Sequence, residues 1–174
     1  YDNGGKPAGT VHHLATLGSS VINSTGGNLY IKANNGQTLQ LDSGITLQGY
    51  GRLTNYWGGN SIINAGTINA NVSGQTWDIT PTNFTNNGTI NASVGTVNLV
   101  PDSLTMSAGS SMNISGGTLN INPGNAWNNH GNLSLSAGTL NLYNTFTLAN
   151  LGSYTRTAGS ILALRGTLDL QNRG

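Results

Sequence analysis

The chain contains no cysteine and no glutamate, and its only acids are Asp2, Asp42, Asp78, Asp102 and Asp169. Without cysteine there is neither a disulfide framework nor thiolate chemistry. Charged residues make up 6% of the sequence, against roughly a quarter in ordinary globular proteins. The formal net charge of +1 offers no basic field, so neither nucleic acid nor an anionic membrane surface is expected as a partner. No run of about 18 apolar residues occurs, so this segment is not expected to insert into a membrane. No basic stretch followed by an apolar core marks a signal peptide.

What is present is Gly, Asn, Thr and Ser, interleaved with Val, Ile and Leu. Hydrophobic residues reach 36% over 174 residues, which sets the chain apart from disordered polar tracts. Its length suits one domain. The stretch "NNGTINASVGTVNLV", 86–100, states one phrase twice, as Gly88-Thr89-Ile90-Asn91 and Gly95-Thr96-Val97-Asn98. Gly117, Gly131, Gly138, Gly152, Gly159 and Gly166 continue it at steps of about seven residues or a multiple of it. Most of these glycines precede four residues that alternate polar and apolar. That period of two signals short strands, and the Gly, Asn, Ser and Pro between them signal turns.

A longer period is superimposed. Thr46, Thr67, Thr89, Ser111, Asn132 and Ser153 recur every 21 or 22 residues, and Thr54, Thr76, Thr96, Thr118, Thr139 and Ser160 every 20 to 22. Three strands per unit of that length fit neither a propeller blade, which needs about 40 residues, nor a leucine-rich repeat, whose signature is missing. They predict an all-β, right-handed parallel β-helix (β-solenoid), each strand stacking about 4.8 Å from its equivalent in the next coil. Inward columns are predicted at Leu47, Ile68, Ile90, Met112, Leu133 and Tyr154, and at Trp77, Val97, Leu119, Leu140 and Ile161. Two residues beyond the second column, Leu99, Ile121, Leu142 and Ala163 form another, while Phe84, Leu104, Trp127, Phe146 and Leu168 line the third strand. One coil buries too little to offset the ordering of its residues, so stability arises between coils.

The residues flanking the inward ones form outward ladders. Thr76, Thr96, Thr118 and Thr139 make one row, Asp78, Asn98, Asn120 and Asn141 a second, and Gln48, Asn69, Asn91, Asn113 and Ser134 a third. Stacked Asn side chains hydrogen-bond along such a ladder, and β-branched Thr suits its pleat. Residues 1–43 repeat more loosely and are expected to form the first, wider coils, ahead of regular coils over 44–174. The segment "VHHLATLGSSVI", 11–22, is expected to run beside or across the end of the tube. The pattern stops in mid-phrase at "LRGTLDLQNRG", from which a fragment of a longer protein is expected.

Chemistry-bearing clusters are few. Asp42 and Asp102 sit in turn-like contexts, whereas Asp78 and Asp169 occupy Asn-type ladder slots. Asp78 and Asp102 lie about one coil apart but shifted. Adjacent His12 and His13 point to opposite faces of a strand, which argues against joint metal ligation. No metal, cofactor or catalytic residue is therefore assigned, and no enzymatic activity is expected. The best binding candidate is "GYGRLTNYWGGN", 49–60, where Tyr50, Arg52, Tyr56 and Trp57 crowd together as candidate glycan contacts. The competing structural role of this segment is an insertion covering the core of the early coils.

The phrases "NNGTINA", "GTVNL", "GGTLNI", "AGTLNL" and "RGTLDL" resemble the β-strand repeats of large bacterial exoproteins, namely filamentous-haemagglutinin-like proteins and autotransporter passenger domains. The resemblance spans roughly residues 44–174. It implies an extracellular or cell-surface, rod-like adhesin segment that serves as stalk or adhesive surface. Glycans, matrix or another surface protein would be its partners, with neighbouring coils of a longer chain. Two other functions compete: ice binding through the Thr/Asn ladders, and a polysaccharide-active β-helix enzyme relying on Asp78 and Asp102.

Overall fold

The computed structural model describes residues 7–33, 35–55, 57–125 and 127–171. The chain winds as a parallel β-solenoid of about seven turns. β1 (Val11–Leu14) and β2 (Ser20–Ala33) make the first coil, and β3 (Thr38–Leu41) and β4 (Ile45–Asn55) the second. The third comprises β5 (Ser61–Asn64), β6 (Thr67–Ala70) and β7 (Thr76–Thr80), and the fourth β8 (Asn83–Asn86), β9 (Thr89–Ala92) and β10 (Thr96–Leu99). β11 (Ser103–Met106) and β12 (Ser111–Ile121) form the fifth, and β13 (Asn128–Asn129) and β14 (Asn132–Leu142) the sixth. β15 (Thr145–Thr147), the single helical turn α1 (Leu148–Leu151), β16 (Ser153–Arg156) and β17 (Ile161–Leu164) form the seventh, and β18 (Thr167–Asp169) follows.

Three faces result. Face one stacks β1, β3, β5, β8, β11 and β13 in that order, all parallel. Faces two and three are continuous in hydrogen bonding because β2, β4, β12 and β14 each bend across the corner between them. The alternation read from sequence is the alternation of burial. In β9 and β10 the pattern is intermediate, buried, intermediate, buried. Leu47, Ile68, Ile90, Met112 and Leu133 stack in register on face two and are buried. Trp77, Val97, Leu119 and Leu140 do the same on face three. On face one Phe84 pairs with Leu104, Phe146 pairs with Leu168, and Trp127 is buried. Pro81, Pro101 and Pro123 are buried where face three turns into face one. Proline cannot donate to the ladder, so it falls where strands end.

The structure departs from the expected columns in the second and last coils, where the corner length changes. Thr54 lies over Thr80, not Thr76. In the second coil two residues, Gly49 and Tyr50, separate Gln48 from Gly51, whereas seven separate their partners Asn69 and Trp77. In the last coil Ile161, not Ser160, pairs with Thr139, so Ile161 faces outward and is 55% exposed. Leu162 and Leu164, not Ile161 and Ala163, continue the two inward columns. The turn Thr157–Ser160 is one residue longer than Ser136–Gly138, and a one-residue slip exchanges the two faces of a strand. The segment 11–22 does not cross the tube end; β1 pairs with β3, and β2 with β4, as the first coil. Residues 49–55 are no insertion either: 51–55 form the face-three strand of the second coil, paired with both β2 and β7.

Candidate functional site

The outer row of face three carries polar side chains bonded from coil to coil. Its strands place Asp78, Asn98, Asn120 and Asn141 directly over one another. Nδ2 of Asn98 donates to Oδ1 of Asp78 at 2.7 Å, Asn120 to Asn98 at 2.6 Å, and Asn141 to Asn120 at 2.6 Å. The direction of this relay has a chemical origin. An ionised carboxylate only accepts, so Asn98 must turn its NH2 group toward Asp78. Its own oxygen is then presented to Asn120, and the orientation propagates. At the far end Nε of Arg165, which only donates, reaches Oδ1 of Asn141 at 3.4 Å. At the near end Nε and Nη2 of Arg52 reach the other oxygen of Asp78, each at 3.4 Å. Each amide is thus used along the axis, coil to coil, and the ladder is terminated by charge at both ends.

Thr76, Thr96, Thr118 and Thr139 stack beside it in unbroken register over four coils. On face two Thr46, Thr67, Thr89, Ser111, Asn132 and Ser153 form the first outer row and Gln48, Asn69, Asn91, Asn113, Ser134 and Thr155 the second. There Asn113 donates to Asn91 at 3.0 Å, and Asn69 sits in register with Asn91.

The aromatic segment is dispersed by the fold. Tyr50 is half-buried at the bend of β4, Arg52 lies on the outer row of face three, and Trp57 is 62% exposed past the end of β4. Tyr56 lies outside the described residues. Two exposed groups absent from the sequence-based assignment join Arg52 instead: Tyr30, its register partner, and Lys32. The signal was the alternation in "NLYIKA", which puts Leu29 and Ile31 inward and Tyr30 and Lys32 outward.

A second group missed from sequence lies inside. Asn64, Asn86 and Asn129 occupy inward positions of face one and are buried. Nδ2 of Asn64 donates to Oδ1 of Asn86 at 2.7 Å, and Nδ2 of Asn86 to the carbonyls of Gly88 and Ser111. Asn129 donates to the carbonyl of Leu151 in α1 and accepts from the amide of Gly131. These side chains add hydrogen bonds to backbone groups at the bend from face one to face two.

Asp78 and Asp102 are not brought together. Asn98 is the register partner of Asp78, and Asp102 follows four residues later at the next corner, where Ser103 bonds to the Thr82 carbonyl. His12 and His13 diverge: the first contacts Gln37 Oε1 at 3.1 Å, the second Asp42 Oδ1 at 2.9 Å. Among the described residues no three His or Asp side chains are grouped to hold a metal ion. Hydrogen bonds from His13 and then Gln40 hold the Asp42 carboxyl below its usual range. A depressed folded pKa stabilises the fold above the unfolded value, and that contribution disappears as pH falls through the folded one. A carboxyl-carbon NMR titration should therefore find Asp42 titrating below the ordinary aspartate value of about 3.9. His13→Ala should move its midpoint back up; an unmoved midpoint would discount the contact.

No protein-family model, curated protein or solved structure matches this chain.

Proposed function

We propose that this chain is a non-catalytic β-solenoid segment of an extracellular bacterial surface or secreted protein, acting as a stalk with an adhesive face. The observation that supports this reading is the use of the outward polar rows. On face three the Asn and Asp groups bond to their counterparts in adjacent coils, which stiffens a rod. Asp78 is engaged by both Arg52 and Asn98, an arrangement suited to cohesion and ill suited to proton transfer. Glycans, matrix or a neighbouring surface protein are the partners in this reading. Electron microscopy of the full-length protein combined with binding to coated surfaces tests it. A rod that adheres and does not degrade polysaccharide agrees with it, and turnover of any polysaccharide substrate would refute it.

One observation favours a second reading, ice binding: Thr76, Thr96, Thr118 and Thr139 repeat without interruption at the strand spacing. The row is bounded by Ile161 at one end, and the parallel rows on face two mix Thr with Ser, Asn and Gln. The adhesive reading predicts no thermal hysteresis at millimolar protein. Hysteresis abolished by Thr118→Ala would instead establish ice binding.

A further inference from the structure

The row that becomes the amide ladder begins with an aromatic ring. Tyr30 pairs with Arg52, and Arg52 pairs with Asp78. Tyr30 is 51% exposed on a flat sheet face. The Lys32 ammonium lies over one face of its ring, 5.8 Å from the centroid. The Arg52 side chain, one coil further along, is half exposed. An aromatic ring and two cations therefore share one side of the sheet. Asp78, the acid nearest to them in this row, directs one oxygen to Arg52 and the other to Asn98, along the row. The guanidinium carries five N–H donors, and its contacts to Asp78 come from two nitrogens on a single oxygen.

We propose that this strip binds an anionic polysaccharide chain lying along the solenoid axis, one sugar ring resting on Tyr30 and its acidic group held by Lys32 and Arg52. The proposal rests on the adhesive reading and gives it a site and a ligand class. Three features carry it. Aromatic rings stack on the C–H face of a pyranose through the same contact that favours apolar burial with a polar rim. Coils spaced by about 4.8 Å match the length of one sugar unit, so successive sugars meet successive coils. The two cations select the charge: Lys32 is a compact ammonium on a flexible stem, and Arg52 presents a planar fork that suits a carboxylate.

Affinity electrophoresis in carboxymethylcellulose and in hydroxyethylcellulose, which share one backbone and differ in charge, tests the proposal. The protein should be retarded by the first and not the second, with retardation falling as salt rises. Tyr30→Ala should weaken binding at least about fivefold, and Lys32→Gln about threefold at low salt. Tyr30→Phe, which keeps the ring, should retain binding, and Thr105→Ala on face one should change nothing. All three positions are on the surface, and an unchanged circular dichroism spectrum verifies folding. Equal retardation by both polymers, no retardation by either, or full binding by Tyr30→Ala would overturn the proposal. Adhesion to surfaces that survives Tyr30→Ala removes this site and leaves the adhesive reading standing. A wild-type protein that adheres to no surface removes that reading itself.

Discussion

Trp77→Ala is expected to destabilise the solenoid by about 3–5 kcal/mol, the range for deleting a fully buried large side chain. Trp77 is 0% exposed and stacks between Gly51 and Val97 on face three. The glycine is required there: a Cβ at Gly51 would lie 2.8 Å from Cζ3 of Trp77. Position 51 is thus the hole and Trp77 the knob, and truncation to Ala empties it. The indole Nε1 has no hydrogen-bond partner within the protein. Its removal strands no other group, so the loss is one of packing. Trp77→Phe should therefore cost much less, about 1–2 kcal/mol. Urea unfolding followed by circular dichroism measures both. Because each coil is stabilised by its neighbours, hydrogen exchange in Trp77→Ala should accelerate in β4, β7 and β10 before the last coils. Equal costs for the two substitutions would mean that the site is not tightly filled.

Asn86→Leu carries the second large expected effect, about 2–4 kcal/mol. Leu fits the volume and would join an inward column that already holds Leu41 and Met106. What it cannot replace is hydrogen bonding. The Gly88 and Ser111 carbonyls would each lose a donor, and Asn64 Nδ2 would keep the Thr89 carbonyl alone. A single substitution strands the surviving partner, whereas replacing both partners removes the need. Asn64→Leu/Asn86→Leu should consequently be less destabilised than the sum of its single variants by about 1 kcal/mol or more. Strict additivity would show that the two amides do not interact.

The columns legible in the sequence were those whose corners keep one length. From the fourth to the sixth coil five residues separate the outer Asn or Ser of face two from the inward residue of face three, as in Asn91 to Val97 and Asn113 to Leu119. Constant spacing then equals register. Where the corner shortens at Gly49–Tyr50, or lengthens over Asn71–Gly74 and Thr157–Ser160, an offset by fixed period slips. Ile161 faces outward, against the fixed period, for that reason alone. The interior asparagines were obscured for a different one. Asn in this chain is mostly an outward residue, and composition outweighed phase. Yet Phe84 is inward, and period two makes Asn86 inward with it. On face three the ladder Asn98–Asn120–Asn141 was readable, while its termination by Asp78 and Arg165 required coordinates. Arg165 follows the slipped last turn, and no spacing predicts its reach to Asn141.

Side-chain amide NMR of Asn98, Asn120 and Asn141 tests the stacked-coil ladder most directly. The Nδ2 protons should be slow to exchange, with cross-relaxation contacts from Asn120 to Asn98 and from Asn141 to Asn120. Asp78→Ala should loosen Asn98 most, because it removes the acceptor that orients the chain of amides. Rapidly exchanging amides with no contacts between residues about one coil apart, or contacts typical of antiparallel strands, would contradict both the register and the rod built upon it.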